Sequence, residues 1–459
     1  MDAISSSPVR FRSPGPALSS LDLDKRRPIA ALRLLFAVQL VVFAIVVWKI
    51  AITTPYLDML TWQHDALIAL RTNTVSGWWA HLLHPHNEHR LALVRLMTLF
   101  DLTLGGGNQL IFIVVTLFAV LMMAWGLWRV MADNARRQDR ALALIVPMLV
   151  LSSTAALDVG LPINCVYPLS LAFLVGALVL FSGAIVAPAS ATRLFIGAII
   201  CASLAPYGNM TGLAVWPVLL WLGLRGRLAP ALLLCVLLIG GAESLLYLWN
   251  NMPGSHASAS GLSAGHAASS LARIVAYAGI FLGLPFSRIP ALAVPSMVLG
   301  LGLAGVTIAL LLRDCVTRAP STRASLVSTG LLLTGIGVAC MAALGRANEE
   351  EALIAPARYA LYVLLLYAGL VMRFLLWLRR HPLSGRMTDL RIGLGFASLL
   401  VLFQGVSGFA GFRAADTLRK SVQSWHPGQH DECYLKTIFP DLGYADRVRR
   451  DVDAYLLER

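Results

Sequence analysis

Apolar runs long enough to cross a lipid bilayer recur from residue 31 almost to the end of the chain. A bilayer core about 30 Å thick needs about 20 apolar residues per helix. The composition agrees, because 58% of the residues are hydrophobic and only 13% are charged, against about 25% charged in soluble domains. The sequence predicts an all-α, polytopic transmembrane helical bundle with about eleven spans: 31–52, 108–130, 141–157, 164–187, 194–208, 209–224, 229–249, 291–312, 324–344, 358–378 and 391–412.

The distribution of the basic residues predicts the orientation of the chain. The net charge is +13, but Arg and Lys form short clusters between apolar runs, so we expect no nucleic-acid partner. Cytoplasmic loops of membrane proteins carry an excess of Lys and Arg. The clusters precede the first run and then occupy alternate loops: Arg10, Arg12, Lys25, Arg26, Arg27; Arg129, Arg136, Arg137, Arg140; Arg225, Arg227; Arg313, Arg318, Arg323; Arg379, Arg380, Arg386. We expect a multi-pass protein of the bacterial inner (cytoplasmic) membrane, with a cytoplasmic N-terminus and an extracytoplasmic C-terminus.

This orientation divides the chain into three regions. Residues 1–28 form a polar cytoplasmic N-terminus, residues 29–412 form the membrane domain, and residues 413–459 form a polar extracytoplasmic tail. Residues 53–107 form a long first extracytoplasmic loop. Within it, Arg90–Leu104 has polar side chains on one side of a helical wheel and apolar ones on the rest, which predicts a helix in the membrane interface.

Residues 273–290 are apolar but contain Gly and Pro. If they crossed the membrane, the later Arg clusters would lie outside the cell. We therefore expect a re-entrant or interfacial segment.

The first extracytoplasmic loop holds the most reactive side chains. Asp58 follows the first run closely, and Glu88 and His89 lie in His84-Pro85-His86-Asn87-Glu88-His89-Arg90. Asp58 has an alternative role as the N-cap of the next helix, since Asp is a favoured N-cap. The histidines have an alternative role as metal ligands, although neither they nor the six cysteines show the spacing of a structural zinc site. The sequence therefore predicts no metal-binding residues.

Further polar residues lie in other extracytoplasmic loops. Asp158 is in the second of them, and Arg346 and the pair Arg358-Tyr359 flank the loop before the tenth run. A guanidinium suits an anionic phosphate because its planar fork binds two oxygens at once. The alternative for Arg358 is contact with lipid headgroups. Glu243 lies within the seventh run, where it is either satisfied by a neighbouring helix or marks a polar cavity.

Four motifs give the chain a recognisable pattern. They are Pro55-Tyr56-Leu57-Asp58; Asn87-Glu88-His89-Arg90 with Asp101 and Gly105-Gly106-Gly107-Asn108; Asn209 to Pro217; and Leu344-Gly345-Arg346 with Ala357-Arg358-Tyr359. Over about residues 30–380 the chain resembles the GT-C class of membrane glycosyltransferases, in particular a poorly characterised bacterial group. It departs from several members in having a single carboxylate at Asp58 rather than an adjacent acidic pair.

The resemblance implies transfer of a sugar from a polyprenyl-phosphate donor to a glycan, lipid or protein acceptor at the extracytoplasmic face. It implies Asp58 as the catalytic base, with Asp158 and Glu88 as further acidic residues of the site. It also implies phosphate and substrate binding by Arg358, Arg346, Arg90, His89 and Tyr359. No cofactor follows from the sequence, and a divalent cation (Mg²⁺ or Mn²⁺) stays an open alternative. Other functions left open are a transporter or flippase for a lipid-linked or small anionic substrate, and an assembly subunit.

Overall fold

A computed structural model describes residues 20–86, 89–133, 135–249, 264–284, 292–317, 322–346, 356–382, 386–424 and 439–458. Within these ranges the protein is helical and contains no strand. The helices, numbered in chain order, are α1 (Ser20–Ile50), α2 (Asp58–Thr72), α3 (Val75–Leu83), α4 (Ala92–Leu104), α5 (Leu110–Ala132), α6 (Arg137–Leu142), α7 (Ile145–Val150), α8 (Ser153–Gly160), α9 (Val166–Val186), α10 (Ala191–Leu204), α11 (Val215–Arg225), α12 (Pro230–Leu248), α13 (Ala264–Leu282), α14 (Ala293–Val316), α15 (Arg323–Arg346), α16 (Ala360–Arg380), α17 (Arg386–Gln423) and α18 (Leu442–Leu457).

The protein is a multi-pass membrane protein. In the described part of the chain, eight helices are long and apolar enough to cross a bilayer. They are Arg27–Ile50, Leu110–Ala132, Pro162–Val186, Pro230–Leu248, Ala293–Val316, Arg323–Arg346, Ala360–Arg380 and Thr388–Gln423. The pair Arg137–Val150 and Ser153–Gly160, bent by 45°, makes a ninth if it counts as one span. The prediction of an all-helical membrane bundle is therefore confirmed.

Three predicted segments fall on shorter helices. The runs 194–208 and 209–224 coincide with Ala191–Tyr207 and Met210–Arg225, which are apolar but shorter than a full span. The apolar part of α13 covers only Leu271–Leu282, fewer than the about 20 residues that a crossing requires. The remainder of the 273–290 segment, from residue 285 onward, lies outside the described residues.

The bend between α7 and α8 is supported by two glutamines from other helices. A break in a membrane helix frees carbonyl groups that have no water to bond. The side-chain amide of Gln39 on α1 donates to the carbonyl of Leu151 at 2.7 Å, and that of Gln404 on α17 donates to the carbonyl of Met148 at 3.1 Å. The two glutamines also hydrogen-bond each other. The same contacts hold α1 and α17 side by side, with Ile50 packed near Ala415 at one end.

Helices α2–α4 lie together at the end of the bundle where α1 ends and α5 begins, here called the loop end. The predicted polar face of α4 points into the protein, since Arg95, Thr98 and Asp101 are all buried. Its opposite face exposes three large apolar side chains spaced four residues apart, Leu96, Phe100 and Leu104. The helix is therefore amphipathic in the reverse sense to one on a water-exposed surface, as suits contact with lipid.

The Gly-rich motif after α4 forms the turn into α5. Gly106 and Gly107 have φ of 64° and 68°, a region that side-chain-bearing residues rarely adopt. The carboxylate of Asp101 accepts a hydrogen bond from the backbone N–H of Gln109 at 3.2 Å. Asp101 therefore caps the start of α5. Burial raises its pKa to about 6, although hydrogen bonds from the backbone of Gln109 and Ile111 act in the opposite direction.

The last helix, α18, packs against α2 at the loop end. The Tyr444 ring lies 5.6 Å from the ring of His64, and its hydroxyl bonds Thr61 of α2. Val452 and Leu456 lie over Gly107. The C-terminal helix and the first loop thus occupy the same end of the protein.

Candidate active site at the loop end

A tight turn between α1 and α2 positions Asp58. Leu57 has φ 52° and ψ −134°, a conformation that favours glycine, and the N–H of Met59 donates to the carbonyl of Tyr56 at 3.2 Å. The N-cap of α2 is Leu57, and Asp58 is the first residue of the helix. The alternative role of Asp58 as the N-cap is therefore wrong. A strained backbone at a non-glycine residue is often found at functional sites, and here it lies directly before the carboxylate of Asp58.

A second turn brings two histidines to Asp58. The backbones of His86 and His89 exchange two hydrogen bonds, of 2.7 and 2.9 Å. Nε2 of His86 lies 3.6 Å from Oδ2 of Asp58. The Asp58 side chain is 51% exposed whereas that of His86 is 14% exposed, so the carboxylate is the part of the pair that a substrate can reach.

Two arginines converge on Tyr359 beside this pair. The guanidinium carbons of Arg346 and Arg358 each lie 5.7 Å from the centre of the Tyr359 ring. Arg358 also hydrogen-bonds Tyr167 and Tyr359, and the rings of Tyr167 and Tyr359 meet edge to face at 5.5 Å. These contacts hold two cationic groups at the ends of α15 and α16.

Electrostatic interactions link the carboxylate to the cationic groups. The pairing with His86 lowers the pKa of Asp58, and the charge of Arg358 lowers it further. Burial lowers the pKa of His89 to about 4, and Arg346 and Arg358 act in the same direction. At neutral pH the site therefore contains an ionised Asp58, a neutral His89 and two guanidinium groups.

Asp158 lies next to this group but is buried. It is 2% exposed, and its Oδ1 accepts a hydrogen bond from Nδ2 of Asn164 at 3.2 Å. It interacts electrostatically with Tyr167, the same tyrosine that bonds Arg358. Its position indicates support of the tyrosine and arginine cluster rather than contact with a substrate.

Arg90 is directed toward the backbone. Its Nε donates to the carbonyl of Tyr247 at 2.9 Å, and its two NH groups donate to the carbonyls of Leu83 and Trp249. This geometry ties the His86–His89 turn to the end of α12. Arg90 directly follows His89 in sequence, but its guanidinium donates to backbone carbonyls at the ends of α3 and α12.

Two further acidic residues singled out in the sequence are Glu88 and Glu243. Glu88 falls outside the described residues. Glu243 on α12 lies close to Ser203 of α10 and Trp216 of α11. Its Oε2 is buried and has no hydrogen-bond partner among the described residues.

The described residues do not fit a Mg²⁺ or Mn²⁺ site. These ions prefer several oxygen ligands in a near-octahedral arrangement. Here Asp58 meets two histidines and a guanidinium, and no group of three or more potential ligands with suitable geometry occurs in the described ranges.

His86 and Tyr167 were not predicted as site residues. His86 is one of five histidines in the loop, and only the backbone bridge to His89 singles it out. Tyr167 lies inside an apolar run, where an aromatic residue normally indicates packing. The Asn209 motif lies next to the cluster. Thr211 hydrogen-bonds the Tyr362 hydroxyl at 2.5 Å, and the Tyr362 ring packs edge to face on Tyr167 at 6.2 Å.

Comparison of the chain with known proteins returned no matching family profile, no matching curated protein and no matching solved structure.

Proposed function

We propose that this protein is a GT-C-like membrane glycosyltransferase that moves a sugar from a polyprenyl-phosphate donor to an envelope glycan, lipid or protein acceptor. The observation that supports this most is the grouping of Asp58 with Arg346 and Arg358 at one end of an apolar helix bundle. A carboxylate for proton transfer and two cations for a phosphate are the groups that such a reaction needs.

The proposed chemistry is a single displacement at the anomeric carbon. Asp58 accepts the proton of the acceptor hydroxyl while that oxygen bonds to the sugar. The bond from the sugar to the phosphate oxygen breaks, and polyprenyl phosphate leaves with the electron pair. Arg358 and Arg346 stabilise the charge on the leaving phosphate, and Tyr359 holds both in place. His89, which is neutral at this site, provides a hydrogen bond to the substrate.

The arrangement of charges supports the proposed orientation, with a cytoplasmic N-terminus and the site on the extracytoplasmic face of a bacterial inner membrane. The end of the bundle opposite to the loop end carries paired arginines. Arg129 and Arg323 flank Asp133 at 3.4 and 3.2 Å, and Arg373 pairs with Asp314. Arginine-rich ends face the cytoplasm in membrane proteins.

The lipid-facing helices of the first loop suit a lipid-linked donor. The apolar ridge of α4 is matched by a similar ridge on α3, formed by Val75, Trp79 and Leu83. Helices that rest in the interface place the neighbouring site at the depth of a phosphate headgroup. The prenyl chain of the donor then stays within the bilayer while its phosphate reaches Arg346 and Arg358.

The substitution Asp58→Asn in producing cells tests the proposal. It keeps the size of the side chain but removes the base, so we expect loss of one sugar from the envelope glycans at a normal level of inserted protein. Asp453→Asn on α18 is the matched control, because it removes only a surface ion pair with Arg449 at the same end of the protein, and it should leave the glycan profile intact. An unchanged profile in Asp58→Asn cells would reject Asp58 as the catalytic base.

A further inference from the structure

We infer that His86 is a positioning residue for Asp58, fixing the orientation of the carboxylate and stabilising its negative charge. Its catalytic consequence rests on the proposed function, but the pairing itself is a property of the structure. His86 does not touch the substrate in this scheme. It acts through one oxygen of Asp58, which leaves the other oxygen to accept the proton of the acceptor.

Backbone geometry fixes the imidazole of His86. The paired hydrogen bonds between His86 and His89 close a four-residue turn. Arg90 directly follows this turn, and its N–H donates to the Tyr247 hydroxyl at 2.9 Å. These bonds anchor the segment to α12, which limits the positions that the imidazole can adopt.

Packing against Trp62 also restricts the His86 imidazole. The ring of Trp62 meets the His86 ring edge to face at 6.2 Å, and Trp62 itself stacks on Phe112 of α5 at 6.5 Å. Trp62 lies one helical turn after Asp58 on α2, so the same helix carries the carboxylate and the side chain that supports its partner. A catalytic group held by packing and hydrogen bonds keeps its geometry during the reaction.

The other charged or titratable groups that act on Asp58 are His89, from the same turn, and Arg358, from the segment before α16. Arg346 acts on His89. Asp65, on the same helix, pairs instead with Arg95 at 3.8 Å. Among the groups that lower the pKa of Asp58, His86 has the largest effect. Removal of His86 should therefore raise the pKa of Asp58 even with both arginines in place.

Carbodiimide labelling measures this without knowledge of the substrate. A carbodiimide adds to a protonated carboxyl group, so the yield of labelled Asp58 against pH, read by peptide mass spectrometry, follows its protonation. The purified full chain in lipid nanodiscs would be titrated as wild type, His86→Phe and His86→Gln. His64→Phe, a substitution on α2 near Tyr444, is the matched control.

We expect the labelling midpoint of His86→Phe to lie at higher pH than that of the wild type. A midpoint higher by one pH unit means about a tenfold larger protonated fraction of Asp58 at neutral pH. His86→Gln keeps a side-chain N–H donor at this position, so its midpoint should move less. His64→Phe should titrate as wild type. Midpoints equal to wild type in both His86 variants would overturn the inference. Since no donor or acceptor is present, this outcome is independent of whether the protein transfers a sugar.

Discussion

The guanidinium of Arg90 donates to carbonyls from two distant segments, the end of α3 and the end of α12. Hydrogen bonds from a charged group contribute about 1.5–3 kcal/mol each, so we expect Arg90→Ala to lower the free energy of unfolding by about 2 kcal/mol or more. Thermal unfolding in detergent measures this change. The exposed Arg71 provides the control substitution Arg71→Ala, and an equal, small loss in both variants would contradict this role of Arg90.

Among the helices, the bend between α7 and α8 depends on Gln39 and Gln404. Replacement of either by Leu leaves a carbonyl of the bend without its amide donor, at a cost of about 1 kcal/mol in a membrane. Because the two glutamines also bond each other, the double variant should lose less stability than the sum of the single variants. Unfolding free energies of all four proteins in bicelles test this, and strictly additive losses would show that the glutamines act separately.

The exposed apolar face of α4 predicts that this helix contacts lipid. A photo-crosslinking amino acid in place of Phe100 should form adducts with lipid acyl chains, because this side chain is exposed on the apolar ridge. The same probe at Arg71, on the polar exposed end of α2, is the control and should yield few. Mass spectrometry of the irradiated protein in nanodiscs detects the adducts. Absence of lipid adducts at position 100 would place α4 outside the membrane interface.

For the molecule as a whole, the α1–α17 contacts and the docking of α18 on α2 place the C-terminal helix beside the first loop. With the proposed orientation, alkaline phosphatase fused after residue 459 should be active, because that enzyme requires the extracytoplasmic space. Green fluorescent protein at the same position should be dark, whereas the same reporter at the N-terminus should fluoresce. The reverse pattern would put the candidate site in the cytoplasm and exclude the proposed donor.

The sequence predicted the helical elements well because membrane spans are set by length and hydropathy, which are local properties. Each predicted run coincides with helical structure, and Asp58, Arg346, Arg358, Tyr359 and His89 do meet in one cluster. What the sequence could not predict depends on contacts between distant residues. Three features arise from tertiary packing, for which a single sequence carries no signal: the hydrogen bonds of Arg90 to backbone carbonyls, the burial of Asp158, and the pairing of His86 with Asp58.

The most direct measurement is donor consumption by the purified protein. Wild type, Asp58→Asn and Arg358→Gln in nanodiscs would be given a panel of radiolabelled polyprenyl-phosphate sugars with a membrane extract as the source of acceptor. We predict that the wild type releases polyprenyl phosphate from one donor. Each stably folded variant should lose about 100-fold or more in rate, the effect expected for one lost catalytic group. Wild-type rates in both variants would contradict this prediction.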